Sequence, residues 1–211
     1  MSIYLIGDIH GKIEEYYNLI KNNNFNSSIQ LGDFGIGFGN DEKIYSYLDN
    51  LNKNNISHWF IRGNHDNPNK CQLFSNYLGD WGYLEDQDIF YIGGAYSIDK
   101  WARTPNSDWW INEELFQEQW DELKKIYINI KPKYVISHDC PSMIYNKLFH
   151  YINIDFSITA RELNGLFFHH QPDAWVFGHH HHDVSDIFED CEFVCLSELS
   201  YYNLDVPSLV R

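Results

Sequence analysis

Three times in the first 66 residues a short, largely apolar run gives way to a glycine followed by an acid or an amide. The runs are Ile3-Tyr4-Leu5-Ile6 before Gly7-Asp8, Ser28-Ile29-Gln30-Leu31 before Gly32-Asp33, and His58-Trp59-Phe60-Ile61 before Arg62-Gly63-Asn64. Each is short and contains Ile, as a buried strand requires. Between them, Lys12–Asn23 places Ile13, Tyr16, Tyr17 and Ile20 on one helical face, and Asp41–Lys53 does the same with Ile44, Tyr47, Leu48 and Leu51. Strand and helix alternate, so three strands deliver polar residues from one end of a sheet, the end at which open α/β sheets bind ligands. Asp8 and His10 are two residues apart, and in an extended backbone both side chains face one cation. Gly11 then lets the chain turn.

The pattern continues more loosely. Lys70–Tyr77 is expected to form a short helix, and Ile89–Ile92 a strand ending at Gly93-Gly94. Ala95–Asn112 has little periodicity. It holds Trp101, Arg103, Trp109 and Trp110, and so many aromatics argue for an ordered functional loop. Asn112–Lys125 is expected to be helical, with Glu113-Glu114 in its first turn. Tyr134–Ser137 is a strand ending at His138, helices follow from Pro141 and over Thr159–His169, and Ala174–Phe177 is a strand leading into Gly178. The internal run His179–His182 follows a strand and is no expression tag. Strand alternation would face either His179 and His181 or His180 and His182 towards a site. Val184–Phe188 and Glu192–Leu196 close the chain as strands, with Cys191 and Cys195 as small core or edge residues.

Composition narrows the function. The 211 residues suit one domain, 1–211, and 44% hydrophobic with 17% aromatic content argues against disorder. A net charge of -15 with only four arginines repels polyanions, disfavouring nucleic acid, and attracts divalent cations. The four cysteines form no tight pair, and neither a leader nor a membrane-length apolar run is seen, so an intracellular, reduced, cytoplasmic protein without membrane contact is expected.

Five motifs stand in order: Asp8-Ile9-His10, Gly32-Asp33, Gly63-Asn64-His65-Asp66, Ser137-His138-Asp139 and Gly178-His179-His180-His181. Together they resemble the calcineurin-like metallophosphoesterase superfamily, with its DxH, GD, GNH(D/E), His and GHxH motifs. The resemblance implies a four-layer α/β/β/α sandwich with two mixed β-sheets. It also implies two divalent metal ions, Mn²⁺ first, with Fe, Zn, Ni or Mg as alternatives. Asp8, His10, Asp33 and His181 would hold one ion, and Asp33, Asn64, His138 and His179 the other, with Asp33 bridging. A hydroxide between the ions would attack phosphorus in line. His65, beside a ligand, is the candidate to protonate the leaving alkoxide, with Asp66 orienting it.

One motif departs from the protein-phosphatase pattern. Where GDxxDRG would stand, the chain has Gly32-Asp33-Phe34-Gly35-Ile36-Gly37-Phe38, without the second acid or the arginine. That argues against a serine/threonine protein phosphatase and leaves the substrate phosphate in need of another guanidinium. Arg103 in the tryptophan loop is the first choice and Arg62 the second, with Asn64 as a further substrate contact. The expected activity is hydrolysis of a small-molecule or peptide-borne phosphomonoester, or of a compact phosphodiester. A metal-dependent nuclease and a non-catalytic scaffold are the alternatives, and the sequence leaves the oligomeric state open.

Overall fold

The apolar runs become strands because each has partners on both faces. In the computed structural model, which describes residues 2–53, 57–149, 156–204 and 209–210, β1 (Tyr4–Ile6), β2 (Ser28–Leu31) and β3 (His58–Ile61) lie parallel in the order 1-2-3. β10 (Tyr201–Asn203) pairs antiparallel with the free edge of β1, and β11 (Leu209–Val210) with β10. A second sheet lies across an apolar layer from the first. Its parallel centre is β5 (Ile89–Ile92), β6 (Tyr134–Ser137), β7 (Ala174–Phe177) and β9 (Cys191–Cys195). The antiparallel edges are β4 (Trp81–Leu84) and β8 (Val184–Phe188).

Three apolar layers separate four layers of chain. Between the sheets, Leu5, Ile29, Leu31 and Ile61 meet Ile89, Ile136, Val176 and Val194. Outside the first sheet, α1 (Ile13–Asn23) and α2 (Asp41–Leu51) bring Tyr16, Ile20, Ile44 and Leu48 onto a cluster with Ile6 and Phe60. Outside the second, α4 (Gln117–Ile130), α5 (Ser142–Phe149) and α6 (Ile158–His169) cover Phe90, Val135, Trp175 and Phe177 with Trp120, Ile144 and Leu163. This is the α/β/β/α sandwich with two mixed sheets. Burial of this kind contributes roughly 1.5–3 kcal/mol for each large apolar side chain, which outweighs the weak intrinsic preferences of such short strands.

Several boundaries differ from expectation. The helix expected over Asn112–Lys125 starts at Gln117 and runs to Ile130, because the side chains it buries are Trp120, Leu123 and Tyr127. Glu113 and Glu114 stand ahead of it with their carboxylates turned to other partners. The expected Lys70–Tyr77 helix is the single turn α3 (Pro68–Cys71), whose first amides are capped by the Asn67 side chain. Beyond it the chain runs alongside β3, where the Phe60 amide donates to Asn76 O and the Leu78 amide to Phe60 O. β4, β10 and β11 have no counterpart in the sequence pattern; β4 carries Gly82 inside it, a residue that weakens a strand signal. All four cysteines are buried thiols. Among the described residues, no helix is long and apolar enough to cross a membrane.

Candidate metal centre

Five parallel strands from the two sheets end at one place. Asp8 lies just beyond β1, Asp33 beyond β2, Asn64 beyond β3, His138 beyond β6 and His179 beyond β7. The motif glycines allow this convergence by close approach. A Cβ on Gly178 would strike the Asp8 carboxylate, and one on Gly63 would strike the Asp33 carboxylate and the His138 ring.

Strand alternation does not place these side chains. β1 ends at Ile6, and His10 sits in a left-handed turn at φ 44°, fixed by the Ile9 and His10 amides donating to Asp33 O. Asp33 (φ 56°), His179 (φ 66°) and His181 (φ 55°) are also left-handed. Each such non-glycine residue costs on the order of 1–3 kcal/mol and tends to occur where function requires the geometry. Of the two histidine pairs, His179 and His181 face the site. His180 turns onto Asp139 at 3.2 Å and stacks on Phe149 at 4.3 Å, and exposed His182 stacks on the same ring at 5.6 Å.

Two groups of donor atoms result. Asp8, His10, Asp33 and His181 form one, and Asp33, His138 and His179 the other, with donor atoms within 4.8 Å of one another in each. Asn64 Oδ1 is 3.1 Å from His138 Nε2 and so joins the second. Their chemistry fits divalent cations. Asp8 Oδ2 is fully enclosed, and among the described residues no group donates to it with hydrogen-bond geometry, although His181 Nε2 stands 3.1 Å away. His10 Nε2 and His181 Nε2 face each other at 2.9 Å, an approach that needs a proton or a cation between them. Both carboxylates are ionised at neutral pH. Burial would raise the Asp8 carboxyl, but His10 and His181 hold it down at about 2, and Asp33 is held well below the usual range, chiefly by His138, against the same effect. Burial opposes a charge on His138, yet Asp33 beside it raises the imidazole to about 10. Burial lowers His179 to about 4, so its ring is already in the neutral form that binds a cation, whereas His138 gives up its proton on binding one. Mixed carboxylate and imidazole donors without thiolate suit Mn²⁺, Fe²⁺ or Zn²⁺.

Supporting residues fix these donors, and most of them carry little signal in the sequence. His138 Nδ1 donates to Leu31 O at 2.7 Å, which turns Nε2 to the site. Asn64 Nδ2 donates to Ser97 Oγ at 3.0 Å, and the Ser97 amide and hydroxyl both donate to Glu113. Asp139 accepts from the Tyr145 hydroxyl, the Cys140 amide and His180 Nε2, clamping the His138 loop to the histidine run. Asp139 has a signal, being an acid directly after a motif histidine. Glu113 resembles an ordinary helix-start acid, and Ser97 has no signal.

The expected catalytic and substrate residues divide. His65 borders the first group, its ring 5.3 Å from that of His10. Asp66 does not orient it: its buried carboxylate accepts the amides of Phe34, Gly35, Ile36 and Gly63, and thereby moulds the glycine-rich loop. Arg62 is fully buried and taken up by structural partners, donating to Asp80 at 2.6 Å and to Glu113 O at 2.6 Å. Arg62→Ala should therefore destabilise the fold by about 3 kcal/mol, since it strands a partner charge, while leaving KM of the remaining folded protein within about twofold. Urea unfolding with parallel kinetics checks this. Arg103 does reach the site: Nη2 lies 2.7 Å from His65 Nε2, and Asp99 grips the guanidinium at 2.7 and 3.0 Å. Because a guanidinium only donates, His65 Nε2 accepts here. Burial lowers the His65 pKa, Asp33 opposes this and Arg103 reinforces it, so the ring is neutral. Of the loop's tryptophans, Trp101 is 85% exposed, while Trp110 is buried with Phe38 against it.

Comparison with known proteins places this centre in a class. Residues 1–183 match the model of the calcineurin-like phosphoesterase family, and the chain belongs to that family. It is thus a phosphoric ester hydrolase by family, of a metal-dependent kind. No curated protein sequence matches it. Its fold is similar to that of the protein TT1561 of Thermus thermophilus, at 12% identity, TM-score 0.57 and full coverage of both chains. It is also similar to a Staphylococcus aureus protein provisionally named a 5′-nucleotidase, solved with α-ketoglutarate, at 14% identity and TM-score 0.58. That match covers 96% of this chain and 50% of the other, so this chain spans half the length of that relative. GAP50, the anchor in the inner membrane complex of Plasmodium, is a third, at 17% identity and TM-score 0.54 over 93% of this chain and 71% of its own.

Proposed function

We propose that residues 1–211 act as one cytoplasmic metallophosphoesterase domain that holds two divalent ions, Mn²⁺ first among them. Its substrates are small or peptide-borne phosphomonoesters, or compact phosphodiesters. The observation that carries this is the Asp33 carboxylate, shared by two groups of donors whose other members already face inward. When bound, such a pair of ions supplies Lewis acidity that activates water and neutralises charge on the phosphoryl group. The residues do the rest. His65 stands at the edge of the first group, where it protonates the leaving oxygen. For that it must take up a proton, and a phosphate that draws Arg103 away from His65 Nε2 frees the nitrogen to do so. Asp99 keeps the guanidinium over the site during the exchange. A nuclease reading is disfavoured by the charge of -15, and a scaffold reading by the complete set of motif donors.

The test is turnover of a panel of monoesters and diesters by the chelator-stripped protein, before and after Mn²⁺ is restored. Activity that returns with metal supports the proposal, and full activity without metal opposes it. Arg103→Ala should lower kcat/KM by about one to two orders of magnitude with metal content unchanged, the loss of a charge-assisted contact of about 1.5–3 kcal/mol. Unchanged kinetics would remove Arg103 from phosphate binding.

A further inference from the structure

Beside His10 and His65 a cleft of about 250 Å³ opens, bounded further by Gly11, Gly35, Phe38 and Asn40. Phe38 is unusual in it. The ring is 42% exposed, lies roughly parallel to the His65 imidazole at 6.1 Å, and is steadied by an edge contact with Trp110 at 5.4 Å. The loop that carries it is held on both sides. Asp66 takes the amides of residues 34 to 36, the Asn67 amide donates to Ile36 O at 2.8 Å, and the Gly37 amide donates to Asp41 at 2.6 Å. A large aromatic kept in water at the mouth of a site, on a backbone fixed by these hydrogen bonds, is placed to meet a ligand.

The lining also indicates what the ligand is. None of the described residues that line the cleft is a lysine or arginine, and the guanidinium next to it, Arg103 on His65, is already held by Asp99, so the cleft's own walls offer no cation to a second phosphate or a polyanionic chain. Its walls beyond the two histidines are glycine backbone, one aromatic ring and the Asn40 amide. Its volume exceeds that of the roughly 150 Å³ cavity that takes up benzene, so a single ring fits. We infer that this cleft receives the leaving group of the substrate, and that this group carries a single uncharged aromatic ring that stacks on Phe38. The inference rests on the hydrolase reading above, since it places phosphorus at the two donor groups and the leaving oxygen at His65, which borders the cleft.

Benzyl phosphate and cyclohexylmethyl phosphate test it, because both leave as primary alkyl alcohols and differ in the flat ring. The Mn²⁺-loaded full chain should favour the benzyl ester in kcat/KM by roughly three- to tenfold, the worth of one aromatic pair. Phe38→Ala should bring that ratio close to one with Mn²⁺ content unchanged, and Phe38→Tyr should keep it. Calorimetric binding of benzylphosphonate and cyclohexylmethylphosphonate should show the same preference and the same loss. A ratio near one in the unmodified protein, or one that Phe38→Ala leaves in place, overturns the inference alone. Failure to hydrolyse either ester while the phosphonate preference persists overturns the hydrolase reading alone. Failure of both turnover and phosphonate binding overturns the two together.

Discussion

Asp33→Asn should abolish measurable turnover, lowering kcat by about 10³-fold or more, and should strip the protein of most of its metal. Asp33 is the member common to both donor groups, and its carboxylate is ionised despite complete burial. An amide of the same shape keeps the packing but removes the negative charge, and the stabilisation at stake is several kcal/mol of transition-state charge. The same change should drop the His138 pKa well below about 10, because Asp33 is what raises it. Metal analysis by mass spectrometry, assay and histidine NMR of the chelated protein would follow all three effects. Turnover comparable to the unmodified chain would be incompatible with a shared carboxylate.

His65→Ala should lower kcat by about 10²- to 10⁴-fold on alkyl esters and leave both donor groups with their metal. The imidazole is part-buried beside His10 and offers Nε2 to Arg103 in this arrangement. Esters that leave as nitrophenolate need no proton, so they should lose much less. Equal losses on alkyl and nitrophenyl esters would show that His65 does not act as an acid. Such a result would point instead to its contact with Arg103 as the reason for its position.

What can be read from the chain follows the physics of each part. The central strands are legible because they are buried on both faces and so are nearly continuous apolar runs, as in Ala174–Phe177. Asp8, Asp33, Asn64 and His179 are legible because a glycine precedes each: the backbone of Gly63 and Gly178 lies against carboxylates with no room for a side chain. Their geometry is not legible. His10, His179 and His181 adopt left-handed conformations that no strand rule anticipates, and only the tertiary contacts fix them. Neighbours in sequence also mislead. Asp66 follows His65, yet it serves the backbone of a loop about thirty residues earlier, and Arg62 adjoins the motif but is consumed by Asp80 and Glu113 O. Ser97, which holds Asn64, lies in a stretch without periodicity, and Glu113, which holds Ser97, reads as an ordinary helix-start acid, so their roles rest on long-range contacts alone.

The shared position of Asp33 sets a stoichiometry that a single experiment can count. The chelated protein is titrated with Mn²⁺, bound metal is measured by mass spectrometry, and hydrolysis of one ester is followed at each point. Two donor groups with one common carboxylate predict that activity rises with the second ion and saturates at about two per chain. Activity that is complete at one ion per chain, or that ignores bound metal altogether, would contradict the dinuclear account.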